Sequence, residues 1–352
     1  MKNLFDLSRH ALGVCTAAAI VAACSSSTSQ PSLPPDSSAG AASLLLAPSL
    51  QNLIGLRRRS FERPINPMKH LPPPGPTIGY ISDFAQGWIY VLNVKGEQIG
   101  TITGLNGPAG MDTTADQKNL VVANDGGNSV VIYSVKGKPK VLNNGTGPTD
   151  ATVADHGYVA AANPVTATVT CFAPRAKTPT KTIVGGGFAA VYFLAPDPSG
   201  NLFVDGVVNG NVVIGEIVGG CKSGTTISQL TTGNVIGGVG GLRTLTNYNV
   251  EIVDSSNLVI DSYGPPSGGS LGNPIVTQLT TAVLPIQENF TKGSHSVLVA
   301  DAGAHDAALW SFPDGGDPID VYTFQNAMEP WGAAISVKTI GAVKQVQFNL
   351  QN

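Results

Sequence analysis

Asn119-Leu-Val-Val-Ala-Asn-Asp-Gly-Gly-Asn-Ser-Val-Val-Ile-Tyr133 decides the fold. Two runs rich in β-branched residues flank a turn of Asn124, Asp125, Gly126 and Gly127. Such residues occupy tight hairpin turns because they tolerate positive φ or bond their own backbone. The same unit recurs at Gly79 to Leu92 (turn near Asp83), Gly157 to Phe172 (near Asn163), Asn201 to Ile214 (near Asp205), Val250 to Ile260 (near Asp254) and Ser296 to Phe312 (near Asp301). Ahead of most copies stands a Pro/Gly turn, as in Gly107-Pro108-Ala109-Gly110 and Gly147-Pro148-Thr149-Asp150, with Gly runs at 185–187 and 237–241 in the same role and Leu284-Pro285 ahead of the last hairpin. The spacing from Pro108 to Pro148 is about 40 residues and from Pro285 to Pro330 about 45, the length of a four-stranded propeller blade.

Composition agrees. The 42 Gly and 25 Pro against 12% charged residues describe many short strands and tight turns. A formal net charge of −3 without basic blocks in the repeat region leaves no footprint for nucleic acid. The one basic run, Arg57-Arg58-Arg59, precedes the repeats and reads as solvated tether charge or a contact with anionic headgroups.

These features predict an all-β fold, a six-bladed β-propeller of four-stranded blades. The first copy lacks its leading strand, and Glu329-Pro330-Trp331-Gly332-Ala333-Ala334-Ile335-Ser336-Val337 supplies one at the far end of the chain. A C-terminal strand that completes the first blade closes the ring and removes an open sheet edge. An open β-sandwich is the competing architecture.

The blade pattern, Pro-x-Gly, then Leu-x-Val-Ala-Asn, then Gly-Asn-x-Val, resembles the NHL-repeat and SMP-30-like β-propellers, most closely over the second copy. The resemblance to SMP-30 implies a divalent metal held over the channel by Glu, Asn and Asp, starting from a Glu-Gly-Pro-x-Trp stretch. Met328-Glu329-Pro330-Trp331 is similar, but the Gly is missing and the stretch lies at the opposite end of the chain. Asp112, Asp150 and Glu288 fall near the starts of inner strands, with no spacing that makes them a metal set.

Loops between second and third strands share a face with the loops that link blades. Asp83, Asp125, Asn163, Asp205, Asp254 and Asp301 are therefore expected on one face, as a ring that binds Ca²⁺ or sugar hydroxyls, or as side chains that bond their own turns. His305 and Trp331 join the rim of this candidate ligand face. No His pair has zinc-ligand spacing, and Gly-x-Ser-x-Gly is absent. No catalytic set and no cofactor are expected, with Ca²⁺ the metal such a ring would take.

Lys2 and Arg9 precede an apolar stretch, Ala11 to Ala23, too short to span a bilayer. It ends in Val21-Ala22-Ala23-Cys24, which resembles the lipobox of bacterial lipoproteins and implies acylation of Cys24 and cleavage before it. Residues 1–23 are read as signal peptide, 24–76 as a flexible Ser/Ala/Pro-rich tether with a short amphipathic stretch at Leu45 to Leu56, and 77–352 as the propeller. After export Cys171 and Cys221 remain, a candidate disulfide in an oxidising compartment. The expected function is a membrane-anchored binding module that presents loops to a protein or glycan partner in the cell envelope, without nucleic acid. A metal-dependent hydrolase or lactonase resembling SMP-30 is the alternative.

Overall fold

The computed structural model describes residues 58–61, 67–73 and 78–336, apart from Val94, Ala115, Lys292 and Gln325. The chain divides at Leu56/Arg57 into two compact units, and all described residues belong to the second. The lipobox, Cys24 and the Leu45 to Leu56 stretch lie outside the described residues.

The described chain is built from antiparallel four-stranded units. Unit A comprises, in spatial order, Pro330–Ser336, Ile78–Asp83, Trp88–Leu92 and Gln98–Ile102. Unit B is Pro108–Thr113, Asn119–Asn124, Ser129–Ser134 and Lys140–Asn143. Unit C is Asp150–Val153, Val159–Asn163, Thr168–Phe172 and Lys181–Gly185, and unit D is Ala190–Pro196, Leu202–Val208, Asn211–Ile217 and Thr226–Thr232. A short parallel pairing, Val184 with Thr226 and Gly185 with Ile227, joins C and D at their outer strands. Unit E is Leu242–Thr244, Val250–Asp254, Val259–Tyr263 and Ile275–Gln278. Unit F is Pro285–Phe290, Ser296–Asp301, Asp306–Ser311 and Asp320–Phe324.

Burial follows position within a unit. Asn119–Asn124 and Val250–Asp254, both second strands, are buried at every residue, because neighbouring units cover both of their faces. Outer strands alternate instead: in Lys181–Gly185 only Ile183 is buried, and in Thr226–Thr232 only Ile227 and Leu230 are. The hydrophobic core accordingly runs between units. One cluster joins Val169 and Ile183 of C to Leu194 and Val204 of D, and another joins Phe193 and Phe203 of D to Ile252 and Tyr263 of E.

Unit A takes its strands from both ends of the described chain, with Ile78 opposite Ser336 and Tyr80 opposite Ala334. Within the stretch expected as tether, 24–76, two described pieces meet the sheets. Arg58–Phe61 adds in parallel to the outer strand of unit F, and Pro67 bridges Thr101 of unit A. Leu71 is buried and donates its backbone N–H to Ser134 O of unit B at 3.1 Å. These pairings use free strand edges, and the buried Leu71 adds apolar area to the core.

Candidate functional site

Antiparallel connectivity puts the second-to-third hairpins and the links between units at one end of the molecule, and in five of the six units a buried side chain ties the hairpin to the adjacent link. Asp301 accepts backbone N–H groups from Val283 (2.7 Å) and Leu284 (2.8 Å) in the link and from Gly303 and Ala304 (3.0 Å each) in the hairpin. Asp254 does the same for Gly237 (2.7 Å), Gly238 (3.0 Å), Ser256 and Asn257. Asp83 accepts from Gln86 (3.0 Å), Met328 (2.9 Å) and Glu329 (3.3 Å). In unit D the turn falls at Asn209 and Gly210, not near Asp205 as expected; Asp205 lies inside the second strand opposite Ile214 and receives Phe193 N of the first strand at 2.7 Å and Gly240 N of the following link at 3.3 Å. Asn163 accepts from Asn144 Nδ2 and, at 3.0 Å, from Thr146 Oγ1.

In unit B the sequence reading was displaced by one residue. The side chain at this structural position is Asn124, which accepts Asn106 N at 2.7 Å and donates to Ser129 Oγ at 3.0 Å. Asp125 follows it in a 3₁₀ turn, Asp125–Gly127, where partial burial pushes its carboxyl up to about 6. Asp83, Asp205, Asp254 and Asp301 are essentially inaccessible, so their oxygens bind backbone. Desolvation holds the Asp205 acid well above the usual carboxylate range, against the pull of its two backbone donors.

The rim of this end is apolar. Val165, Val235, Val283 and Met328 stand exposed on its loops, Val165 at 86% and Val235 at 82%. Trp331, half-buried, lies against Phe84 with ring centroids 5.4 Å apart, and its indole Nε1 is buried without a hydrogen-bond partner. His305, exposed at positive φ, directs Nδ1 at Met328 O. Beside it the Glu329 acid is pushed up to about 7 by burial and by Asp83, with His305 opposing.

Beneath Trp331 the inner strands converge on a polar plug. Gln287 Nε2 donates to Asp150 Oδ1 at 3.0 Å, while Gln287 Oε1 accepts Met111 N and Ala333 N, both at 3.1 Å. Asp150 Oδ2 accepts Leu194 N at 3.0 Å. Glycines on three other inner strands make the room: a Cβ on Gly110 would lie 2.3 Å from Asp150 Oδ1, one on Gly332 2.4 Å from Ala109 O, and one on Gly241 2.0 Å from Glu288 Oε2.

Below the plug Arg243 crosses to donate Nη2 to Met111 O at 2.9 Å, and Thr152 donates to Asp112 at 2.5 Å. Glu288 is fully buried with both carboxyl oxygens unpartnered, and Glu251 Oε1 is likewise unpartnered. Burial drives the Glu288 acid up to about 8, Arg243 pulling it down and Glu251 and Asp150 adding to the rise. Burial lifts Glu251 to about 7 and Asp150 to about 6. Of the three acids anticipated near inner-strand starts, Asp150 and Glu288 are buried among the inner strands, and Asp112, half-buried, accepts from Thr152. Gln287, Arg243, Glu251 and Asn124 carry comparable weight and were not singled out. Among the described residues, no group of three His, Cys, Asp or Glu is arranged to hold a metal.

Cys171 and Cys221 form a disulfide between units C and D, with Cα atoms 5.6 Å apart. It fastens the turn after the third strand of D to the third strand of C. Among the described residues, no helix is long and apolar enough to cross a membrane.

No family model matches the chain. No curated protein matches it either. Solved structures do. A chain of the nidogen/laminin complex aligns over 75% of this chain and all of its own, at 15% identity and a TM-score of 0.63. The chain folds as a β-propeller. A streptogramin B lyase aligns over 72% of this chain and 76% of its own (13% identity, TM-score 0.50), and a functionally unknown protein from Desulfotomaculum acetoxidans over 74% and 99% (13% identity, TM-score 0.51). At these identities the likeness carries the fold alone.

Proposed function

We propose that the protein is a lipid-anchored, six-bladed β-propeller of the cell envelope that presents its stapled loop end to a protein or glycan partner. Units A to F are the blades, with unit A completed by the C-terminal strand. In support of the count, each inner strand packs against the next around the set, from Pro330–Ser336 through to Pro285–Phe290 and back. The acyl anchor rests on the lipobox resemblance at Cys24.

The observation that carries the binding reading is the loop end itself. Its hairpins and links are fastened together by Asp83, Asn124, Asn163, Asp254 and Asp301, Asp205 holds the D–E link to its first strand, and Val165, Val235, Val283 and Met328 project into solvent. Pre-ordered loops lose little entropy on binding, and exposed apolar side chains around an aromatic pair give a partner area to bury. The role of the acidic ring in this proposal is to hold the platform, and contact falls to the rim with Trp331 and His305. The chain aligned from the nidogen/laminin complex is a propeller-like fold found with a protein partner.

The test places a photo-crosslinking amino acid at Val165 or Val235 on the loop end, and at Val218 or Tyr248 at the opposite end, in the full-length protein within cells. Adducts from the first pair alone are expected. Adducts only from Val218 and Tyr248 would reverse the assignment.

A further inference from the structure

We propose that the outer rim between units B and C is a docking surface for an anionic lipid bilayer, a second membrane contact that rests on the anchor reading above and adds to it. The turn between the third and fourth strands of B carries Lys136 and Lys138, both exposed, and leads into half-buried Lys140. The corresponding loop of C carries exposed Arg175 and Lys177 and reaches over to B, where Asn143 N donates to Lys177 O at 2.8 Å. Lys140 and Arg175 line a cleft between the units whose walls are apolar, including Val121, Leu142, Val153 and Phe172.

These cations are not matched by acids. The ion pairs among the described residues are Lys118 with Asp116 and Asp155 with His156, which leaves Lys136, Lys138, Lys140, Arg175 and Lys177 without a carboxylate partner. Burial and the charge of Lys177 both lower the proton affinity of Lys140, so the two cations sit together at a cost that an anionic surface relieves. Between the cations stand exposed apolar groups, Pro139, Pro174 and Val141, the last 56% exposed. Alternating basic and apolar side chains suit an interface where headgroups meet acyl chains.

The apolar groups set among the cations favour lipid over a soluble polyanion, which would meet charge alone. The segment 67–73 lies on the other side of unit B, where Leu71 packs among residues of A and B and bonds Ser134 O, so it leaves the B–C rim uncovered. One acyl signal plus a basic patch binds membrane more durably than either alone.

The test uses the mature chain, from residue 24, carrying Cys24→Ser, so that neither acylation nor the signal peptide contributes, with vesicles of phosphatidylcholine alone or mixed with phosphatidylglycerol at low ionic strength. Binding to the mixed vesicles only is expected, with a loss on the order of 100-fold in the triple variant Lys136→Gln, Lys138→Gln, Lys177→Gln. Lys95→Gln, in the equivalent turn of unit A, should leave binding unchanged. Equal binding to neutral vesicles, no effect of the triple variant, or capture of an acidic soluble protein with no vesicle binding would each overturn the proposal. The anchor reading is judged separately, by whether the acylated protein survives a high-salt wash that strips a purely ionic contact.

Discussion

Gln287 and Asp150 meet across the middle of the molecule, Nε2 to Oδ1 at 3.0 Å, although 137 residues separate them in the chain. Gln287 simultaneously serves strands of units A and B. One amide therefore ties the inner strands of A, B, C and F together.

Gly110→Ala should be strongly destabilising, because its Cβ would fall 2.3 Å from Asp150 Oδ1 where neither strand can retreat. Gln287→Ala should cost roughly 2–4 kcal/mol by leaving buried donors and an acceptor unpaired. Chemical denaturation of the two variants checks this, and parent-like midpoints would show that the plug is dispensable.

Stability should fall as pH rises from about 4.5 to about 8. Glu288 binds its proton more tightly folded than unfolded, since burial lifts the folded value to about 8. Below the unfolded value both states are protonated and no penalty exists; between the two the unfolded state loses its proton first and is favoured, by up to about 1.4 kcal/mol per pH unit for one group. Glu251 and Asp205 act in the same direction. Glu288→Gln should flatten the profile, measured as melting temperature against pH, and an unchanged slope would place the titration elsewhere.

Asp301→Asn should cost roughly 1–3 kcal/mol, since four backbone N–H groups converge on the carboxylate and an amide turns its own donor toward some of them. Asp125→Asn should be nearly silent in the same thermal melt. Equal effects would mean that the two positions share one role.

Removing the Cys171 to Cys221 bridge, which closes a separation of 50 residues, should lower stability by about 4 kcal/mol on chain-entropy grounds. Cys171→Ala measured against the oxidised parent gives the number. Mass spectrometry without reductant should find no free thiol at either position.

Cys24→Ser should free the folded protein from the membrane fraction under a high-salt wash, circular dichroism staying unchanged. Retention under those conditions would remove the acyl anchor from the proposal.

The hairpins were legible because turn chemistry is local: Asn124 to Gly127 announce themselves without knowledge of the rest. The closing strand was legible because the first repeat was visibly one strand short and Pro330 to Ser336 was one too many. Register was not. Turns of unequal length hide whether Asn124 or Asp125 ends a strand, and only the link at Asn106 decides it. The axial plug was also hidden, since Gly110, Gly241 and Gly332 look like repeat turns until Gln287 and Glu288 are seen to fill the space they leave. Leu71 escaped notice because composition averaged over a Pro-rich stretch dilutes one anchoring side chain.

The pairing of Ile78–Asp83 with Pro330–Ser336 also sets a timetable. A chain delivered from its amino end, by synthesis or by passage across a membrane, presents the first of these strands long before the last. Until the last arrives the inner edge of unit A is bare, with Tyr80 and Ile81 awaiting their cover. The nascent chain is most vulnerable to wrong partners in this interval, and any factor that shields that edge acts on yield without touching the stability of the finished protein.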